Sequence, residues 1–231
     1  MWPKTAARSH LPAHFTAASL PLPLRFAAHH AILRWLQPND AERLIEFFAS
    51  HTEETVYQRY GYAGVHMTAE QAAKLVGVDQ SRDAALGVFE DFSGRSRLIA
   101  VGRYCLAPAG TWAEAAFVVH EQRRGLGIGR TLLAALIVIA RERKLERLLA
   151  EVRQDNTAML HILHHAGAKF ESIAGTSSIE ATIALAAPHD APPSSPPKGK
   201  AHHGSWATEA AARAALGVEK VGITLQRLPL P

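Results

Sequence analysis

Apolar and polar positions along the chain change period in a way that reads as alternating strands and helices. The apolar stretch from Ala31 to Leu36 has the length and composition of a strand. Pro38-Asn39-Asp40 then opens a helix with Asn39 or Asp40 as N-cap, and Leu44, Ile45, Phe47 and Phe48 give it an apolar stripe. A second short helix is expected from Thr68, with Glu70 in its first turn, where a negative charge opposes the positive helix end. Ala85 to Glu90 and Leu98 to Leu106 read as strands joined by the turn Asp91-Phe92-Ser93-Gly94. A third strand, Trp112 to Val119, follows the breaker Pro108-Ala109-Gly110. Next come a long helix from about Gly127 to Arg143 and a largely buried strand from Leu148 to Val152. Asp155 or Asn156 caps a further helix to His165, stopped by Gly167, and Phe170 to Ile173 with Ile179 to Leu185 form a closing hairpin around Gly175.

The resulting order, β-α-α-β-β-β-α-β-α-β-β, is that of an α/β domain with a mixed sheet, since tight hairpins join some strands and helices cross between others. Residues 1–29 mix Pro, Ala, His and a few basic residues, and no acid precedes Asp40. They lack the Arg density and amphipathic period of a transit peptide, so a disordered basic tail is expected. Residues 30–187 carry the domain. Residues 188–231 are a Pro/Ser-rich linker and C-terminal tail, with one short helix from Thr208 to Leu216 ended by Gly217.

Composition narrows the class. The hydrophobic fraction of 48% allows a sizeable core, and the longest apolar run, Leu132 to Ala140, is too short to span a bilayer. No membrane association is expected. A net charge of +4 suits a polyphosphate ligand, while no nucleic-acid-binding signature is present. The lone cysteine, Cys105, rules out an intrachain disulfide and fits a cytoplasmic setting; within its apolar run it reads as a small core residue rather than a nucleophile.

The chemistry concentrates between Val118 and Leu133, where a strand runs through His120-Glu121-Gln122-Arg123-Arg124-Gly125-Leu126-Gly127-Ile128-Gly129-Arg130 into the long helix. Glycines let the backbone approach an anion, and the helix adds its positive end. Arg123, Arg124 and Arg130 add charge. The P-loop string is absent, and the spacing G-x-G-x-G departs from the dinucleotide fingerprint G-x-G-x-x-G. A plain glycine turn with solvated arginines is the competing reading. His161, His164 and His165 share a helical face, but no acidic or cysteine partner accompanies them, and no metal is expected.

Arg124, Gly127 and Gly129 fill the pattern Arg-x-x-Gly-x-Gly, which resembles the coenzyme A signature of the GNAT acetyltransferase superfamily. The chain from about His30 to Leu185 is similar to a whole GNAT domain, which implies a mixed, mostly antiparallel sheet of about seven strands flanked by helices. More narrowly it resembles the catalytic domain of bacterial Pat-type protein lysine acetyltransferases, in the strings Thr55-Val56-Tyr57-Gln58-Arg59-Tyr60, Ile99 to Tyr104, Ala113 to Val119, and Ala150-Glu151-Val152 with Asn156 and Met159-Leu160. No fused sensor or synthetase-like domain fits in this chain.

The resemblance implies acetyl-CoA as donor. It places the pantetheine arm on the backbone of Phe117, Val118 and Val119, and the pyrophosphate on the amides of Arg124, Gly125, Leu126, Gly127, Ile128, Gly129 and Arg130. Asn156 would touch the coenzyme or simply cap its helix. The acceptor implied is a protein lysine; a small amine, or a non-catalytic acetyl-CoA binder, are the alternatives. Freeing a lysine lone pair at pH 7 costs about 4–5 kcal/mol, and the resemblance assigns the base to Glu114, a lone acid in an apolar strand. Exposure to solvent or pairing with Arg103 is the competing reading for Glu114, and Glu151 is the runner-up base. Many GNAT enzymes protonate the leaving thiolate with a tyrosine, and Leu163 occupies that place. Oligomeric state is not legible.

Overall fold

In a computed structural model, residues 10–55, 67–92 and 94–185 are described, and among them eight strands form one sheet. In spatial order they are β1 (Leu22–Phe26), β2 (His29–Trp35), β3 (Ala84–Phe92), β4 (Arg95–Leu106), β5 (Trp112–Val119), β6 (Arg147–Arg153), β8 (Ser178–Ala184) and β7 (Lys169–Ser172). Neighbours are antiparallel except β5 and β6, which run parallel and are joined by helix α3 (Ile128–Glu142). Parallel neighbours need such a crossover. Helices α1 (Ala41–Ala49), α2 (Ala69–Val76) and α4 (Thr157–His165) pack on the same sheet. No helix among the described residues is long and apolar enough to cross a membrane.

From β2 onward the elements follow the expected order. The difference is β1, which raises the strand number to eight and lies inside the stretch expected as a disordered tail. Leu22, Leu24 and Phe26 alternate with Pro23 and Arg25, so one side of a short strand is apolar. Proline hides this signal in the sequence, yet an edge strand tolerates it because its outer N–H groups need no partner. β1 turns through Ala27 and Ala28 onto β2, and Leu24 and Phe26 are buried with Phe15. The preceding residues cross α3: the Ala17 amide donates to the Glu142 carboxylate at 3.1 Å and the His10 amide to Thr131 Oγ1 at 3.1 Å. Residues 1–9 and 186–231 lie outside the described residues, including the expected linker and its short helix.

Each sheet face carries its own core. On one, Leu132, Leu136 and Ile139 of α3 and Leu163 of α4 pack against Phe26, Leu33, Leu86 and Leu148. Withdrawing each such side chain from water contributes about 1.5–3 kcal/mol. On the other, Leu44 and Phe47 of α1 and Leu75 and Val76 of α2 meet Leu36, Phe89, Leu98 and Val101. The helix ends match local chemistry. Thr68 Oγ1 accepts from the Gln71 amide at 3.2 Å while Gln71 Oε1 accepts from the Thr68 amide at 2.8 Å, a reciprocal cap for α2. Asp40 precedes α1 as expected but does not cap it. Its buried carboxylate receives Arg34 at 2.7 and 2.8 Å, Arg43 at 3.2 Å and the Gln37 amide at 2.9 Å.

Burial raises the Asp40 pKa, but the Arg34 and Gln37 hydrogen bonds and the two arginine charges outweigh it and hold the carboxyl below its ordinary value. This contribution to stability is therefore complete above the ordinary aspartate range and is lost as pH falls through the lowered value. Asp40→Ala, which leaves Arg34 without its partner, is expected to cost about 3–5 kcal/mol in urea unfolding at pH 7. The gap between variant and wild type should narrow at acidic pH.

Candidate active site

The sheet is interrupted at its parallel pair. β5 and β6 are in register at Trp112–Arg147, Ala113–Leu148 and Glu114–Leu149, and their pairing ends there. β5 stays paired with β4 as far as Val119, opposite Ala100. The backbone groups of residues 115–119 that point away from β4, Phe117, Val118 and Val119 included, therefore face a wedge-shaped gap. Glu114 stands at its apex. The start of α3 and the middle of α4 meet behind the gap. A Cβ on Gly129 would lie 3.1 Å from Ile162 Cδ1 and 3.4 Å from Phe117 Cε2, so any larger residue would push the Ile162 side chain back by a few tenths of an ångström.

The glycine-rich loop follows directly from the open strand. Residues Glu121–Arg123 form one 3-10 turn, and Gly125 and Gly127 then adopt φ of +78° and +83°. Gly127 is the N-cap of α3, and the first intrahelical amide bond runs from Thr131 to Gly127 O at 3.0 Å. The amides of Ile128, Gly129 and Arg130 thus have no intrahelical acceptor. The Arg124 amide differs from expectation: it closes the 3-10 turn on Glu121 O at 3.2 Å, so the open amides begin after it. The Leu126 carbonyl lies 3.2 Å from His10 Nε2.

The arginines do not act alike. Arg123 is spent on the buried Glu90 carboxylate, with Nε 2.9 Å from Oε2. Arg124 donates to Thr55 Oγ1 at 2.6 Å. Arg130 is half-buried on the first turn of α3. The loop's own charge is therefore carried by Arg124 and Arg130, with the helix end.

Residues 114, 116 and 118 share the sheet face covered further along by α1 and α2. There a cavity is lined by Leu44, Phe47, Leu75, Val118, His51 and Arg103 together with neighbouring apolar residues. Glu114 is half-buried and lies opposite Cys105 of β4. Burial, only partly offset by Arg103, raises the Cys105 thiol, so it is a poor nucleophile, as the sequence suggested. Glu151 is exposed rather than enclosed in an apolar run. It lies opposite Glu180, which lies opposite Glu171, so three carboxylates cross β6, β8 and β7 in one row. Burial and the charges of Glu171 and Glu151 raise the Glu180 carboxyl against the pull of Arg147.

Residues 30–169 match the family model described as an acetyltransferase (GNAT) domain. The chain belongs to the GNAT acetyltransferase family. It is 32% identical over 164 residues to the acetyltransferase Pat of Mycolicibacterium smegmatis, a match covering 70% of this chain and 47% of that protein. The chain thus spans about half the length of this curated relative. Among solved structures, the GNAT domain of S. lividans PAT shares its fold, with a TM-score of 0.64 at 24% identity over 76% of this chain and 99% of that one. YncA from Salmonella typhimurium, solved with its cofactor acetyl-CoA, has a TM-score of 0.55 at 16% identity, over 71% and 99% of the two chains.

In this GNAT domain Leu163 is fully buried and donates nothing. Among the described residues the tyrosine is Tyr104, buried in the same core as Leu163 and so on the sheet face opposite to Glu114, where burial pushes its phenol up to about 12 despite a hydrogen bond from Arg143. Asn156 is the N-cap of α4, its Oδ1 accepting from the Met159 amide at 3.1 Å. His161 and His165 stack edge to face at 4.3 Å, with His164 beside His165. His51 and Glu121 escaped notice in the sequence. They are 70 positions apart in the chain, and only the fold brings His51 Nδ1 to 3.3 Å from Glu121 Oε2.

Because no atom lies within 4 Å of a Cβ built on Gly125, substitution there tests backbone strain alone. Gly125→Ala should lower stability by about 1–2 kcal/mol in denaturant titration while leaving the far-UV circular dichroism unchanged.

Proposed function

We propose that the chain transfers an acetyl group from acetyl-CoA to the side-chain amine of a protein lysine, with residues 30–187 as the catalytic domain. The observation that carries this reading is the gap between β5 and β6, which opens at Glu114 and leads into the glycine loop. The residues present fit the coenzyme. Free edge groups among Phe117, Val118 and Val119 would pair with the amide-bearing pantetheine arm. Open amides from Gly125 through Leu126, Gly127, Ile128 and Gly129 to Arg130, with the Arg124 and Arg130 side chains, would hold the pyrophosphate. The Asn156 side chain, already the cap of α4, would border the coenzyme. When bound, acetyl-CoA supplies an activated acyl carbon.

Glu114 would take a proton from the ammonium of the incoming lysine, so that a neutral amine attacks directly with no acyl-enzyme. Its position at the apex of the gap supports this role over a purely structural one. The carboxylate row of Glu151, Glu180 and Glu171 extends on the same sheet face and favours a cationic acceptor on an open surface. An enclosed acidic pocket for a small polyamine finds no support, because the cavity beside β5 is apolar except for one histidine and one arginine and carries no carboxylate.

Incubating the protein with acetyl-CoA and either intact cytosolic proteins or a panel of small amines, followed by mass spectrometry, tests the reading. Acetyl-lysine on proteins is the expected product. Glu114→Gln should lower turnover about 10²–10⁴-fold with acetyl-CoA affinity preserved in calorimetry. Acetylated small amines alone would redirect the acceptor, and binding without any product would identify a non-catalytic binder.

A further inference from the structure

The cavity between α1, α2 and the β4–β5 region is apolar except for His51 and Arg103. Each contributes a buried side-chain nitrogen with no hydrogen-bond partner, His51 Nε2 and Arg103 Nε, and among the described residues no other side-chain atom is in that condition. Buried polar atoms are normally satisfied, so two of them in one cavity mark a place that a ligand completes. The His51 side chain is only 3% exposed.

The second nitrogen of His51 is held in place. Nδ1 lies 3.3 Å from Glu121 Oε2, and Glu121 Oε1 accepts from the Thr52 amide at 2.8 Å and the Thr52 hydroxyl at 3.0 Å. Burial raises the Glu121 carboxyl, but hydrogen bonds from Thr55, Thr52 and His51 override it and keep the group ionised. A carboxylate only accepts, so Nδ1 carries the ring proton and Nε2 presents a lone pair. Burial lowers the His51 pKa against the pull of Glu121, with the charges of His120 and Arg124 acting in the same direction as burial. The ring is therefore neutral near pH 7.

We propose that His51, oriented by Glu121, is a second proton acceptor in acetyl transfer, receiving a proton from the acceptor amine within this cavity. The inference rests on the acetyltransferase reading and adds to it. The stoichiometry leaves two protons to be moved. R–NH3+ and CH3CO–S–R′ become R–NH–COCH3, HS–R′ and one H+. The C–N bond forms, the C–S bond breaks with its electron pair on sulfur, and two protons leave nitrogen. Glu114 takes the first and passes it to solvent. His51 takes the second, and its imidazolium is the proton source for the leaving sulfur, in a site where Leu163 supplies none. The same residues and His120 place possible ligand atoms within 4.8 Å of one another, but Arg97 Nη2 lies 3.4 Å from His120 Nε2, a positive charge that opposes a cation there.

The test compares wild type, His51→Ala, His51→Gln and Glu114→Gln in acetylation of intact cytosolic proteins, with acetyl-CoA affinity measured in parallel. Both His51 variants are expected to lose about 10²-fold or more in turnover while the acetyl-CoA Kd stays within twofold. Added imidazole should partly restore His51→Ala and leave His51→Gln, whose side chain fills the space, unchanged. Independently of activity, 15N spectra of the histidine rings should show His51 protonated at Nδ1, with the Nε2 signal moving when a lysine peptide is added. His51 variants within about threefold of wild type, alongside an inactive Glu114→Gln, overturn the proposal and leave the acetyltransferase reading standing. Protonation at Nε2 overturns it as well. A wild type that acetylates nothing overturns both.

Discussion

Beyond Glu114 and Leu149, two parallel strands stop sharing hydrogen bonds, and the surrounding structure prevents them from closing again. β5 is fixed along its length by β4, and β6 along its whole length by β8. Each strand is thus anchored by its outer neighbour, and neither is free to swing inward. Gly129, wedged between Phe117 and Ile162, brings α3 and α4 together behind the opening. Backbone groups left open in this way need a partner of comparable polarity, water or a ligand amide. A long, thin molecule with amides along its length meets that need.

The loop and the cavity beside β5 are mechanically connected. Arg124 of the loop grips Thr55, Thr52 grips Glu121, and Glu121 grips His51 just beyond the end of α1. These bonds run from the first residue after the 3-10 turn to the wall of the apolar cavity. Diphosphate and amine would thus be bound by parts of one hydrogen-bonded unit. Charge is divided by the same architecture: cations and helix amides lie on one side of the gap, and carboxylates lie across β6, β8 and β7.

Much of this order was legible in the chain because it depends on local chemistry. Helical stripes, the helix start at Thr68 and the turn residues all act within a few positions, and the glycine loop combines spacing with charge. β1 was hidden because its signal is four or five residues long and interrupted by proline, and only pairing with β2 makes it a strand. Glu114 stood out because an acid in an apolar strand conflicts with its neighbours. Glu151 looked similar, yet its strand exposes alternate residues and it falls on the open side. His51 sends no such signal. A histidine after a helix is ordinary until Glu121, far away in the chain, turns one nitrogen and leaves the other facing an apolar wall.

The strand β8 pairs with β6 from Arg147 to Arg153, yet it lies wholly outside residues 30–169, the stretch that the family model matches, as does β1 at the other end. A protein trimmed to that matched stretch would keep the whole glycine loop and lose the strand that holds β6 in position. It would also turn β2 into a bare edge open to pairing with other chains. The stretch by which the family is recognised is therefore shorter than the unit that must fold, and the difference falls on the strands that brace the opening rather than on the residues that line it.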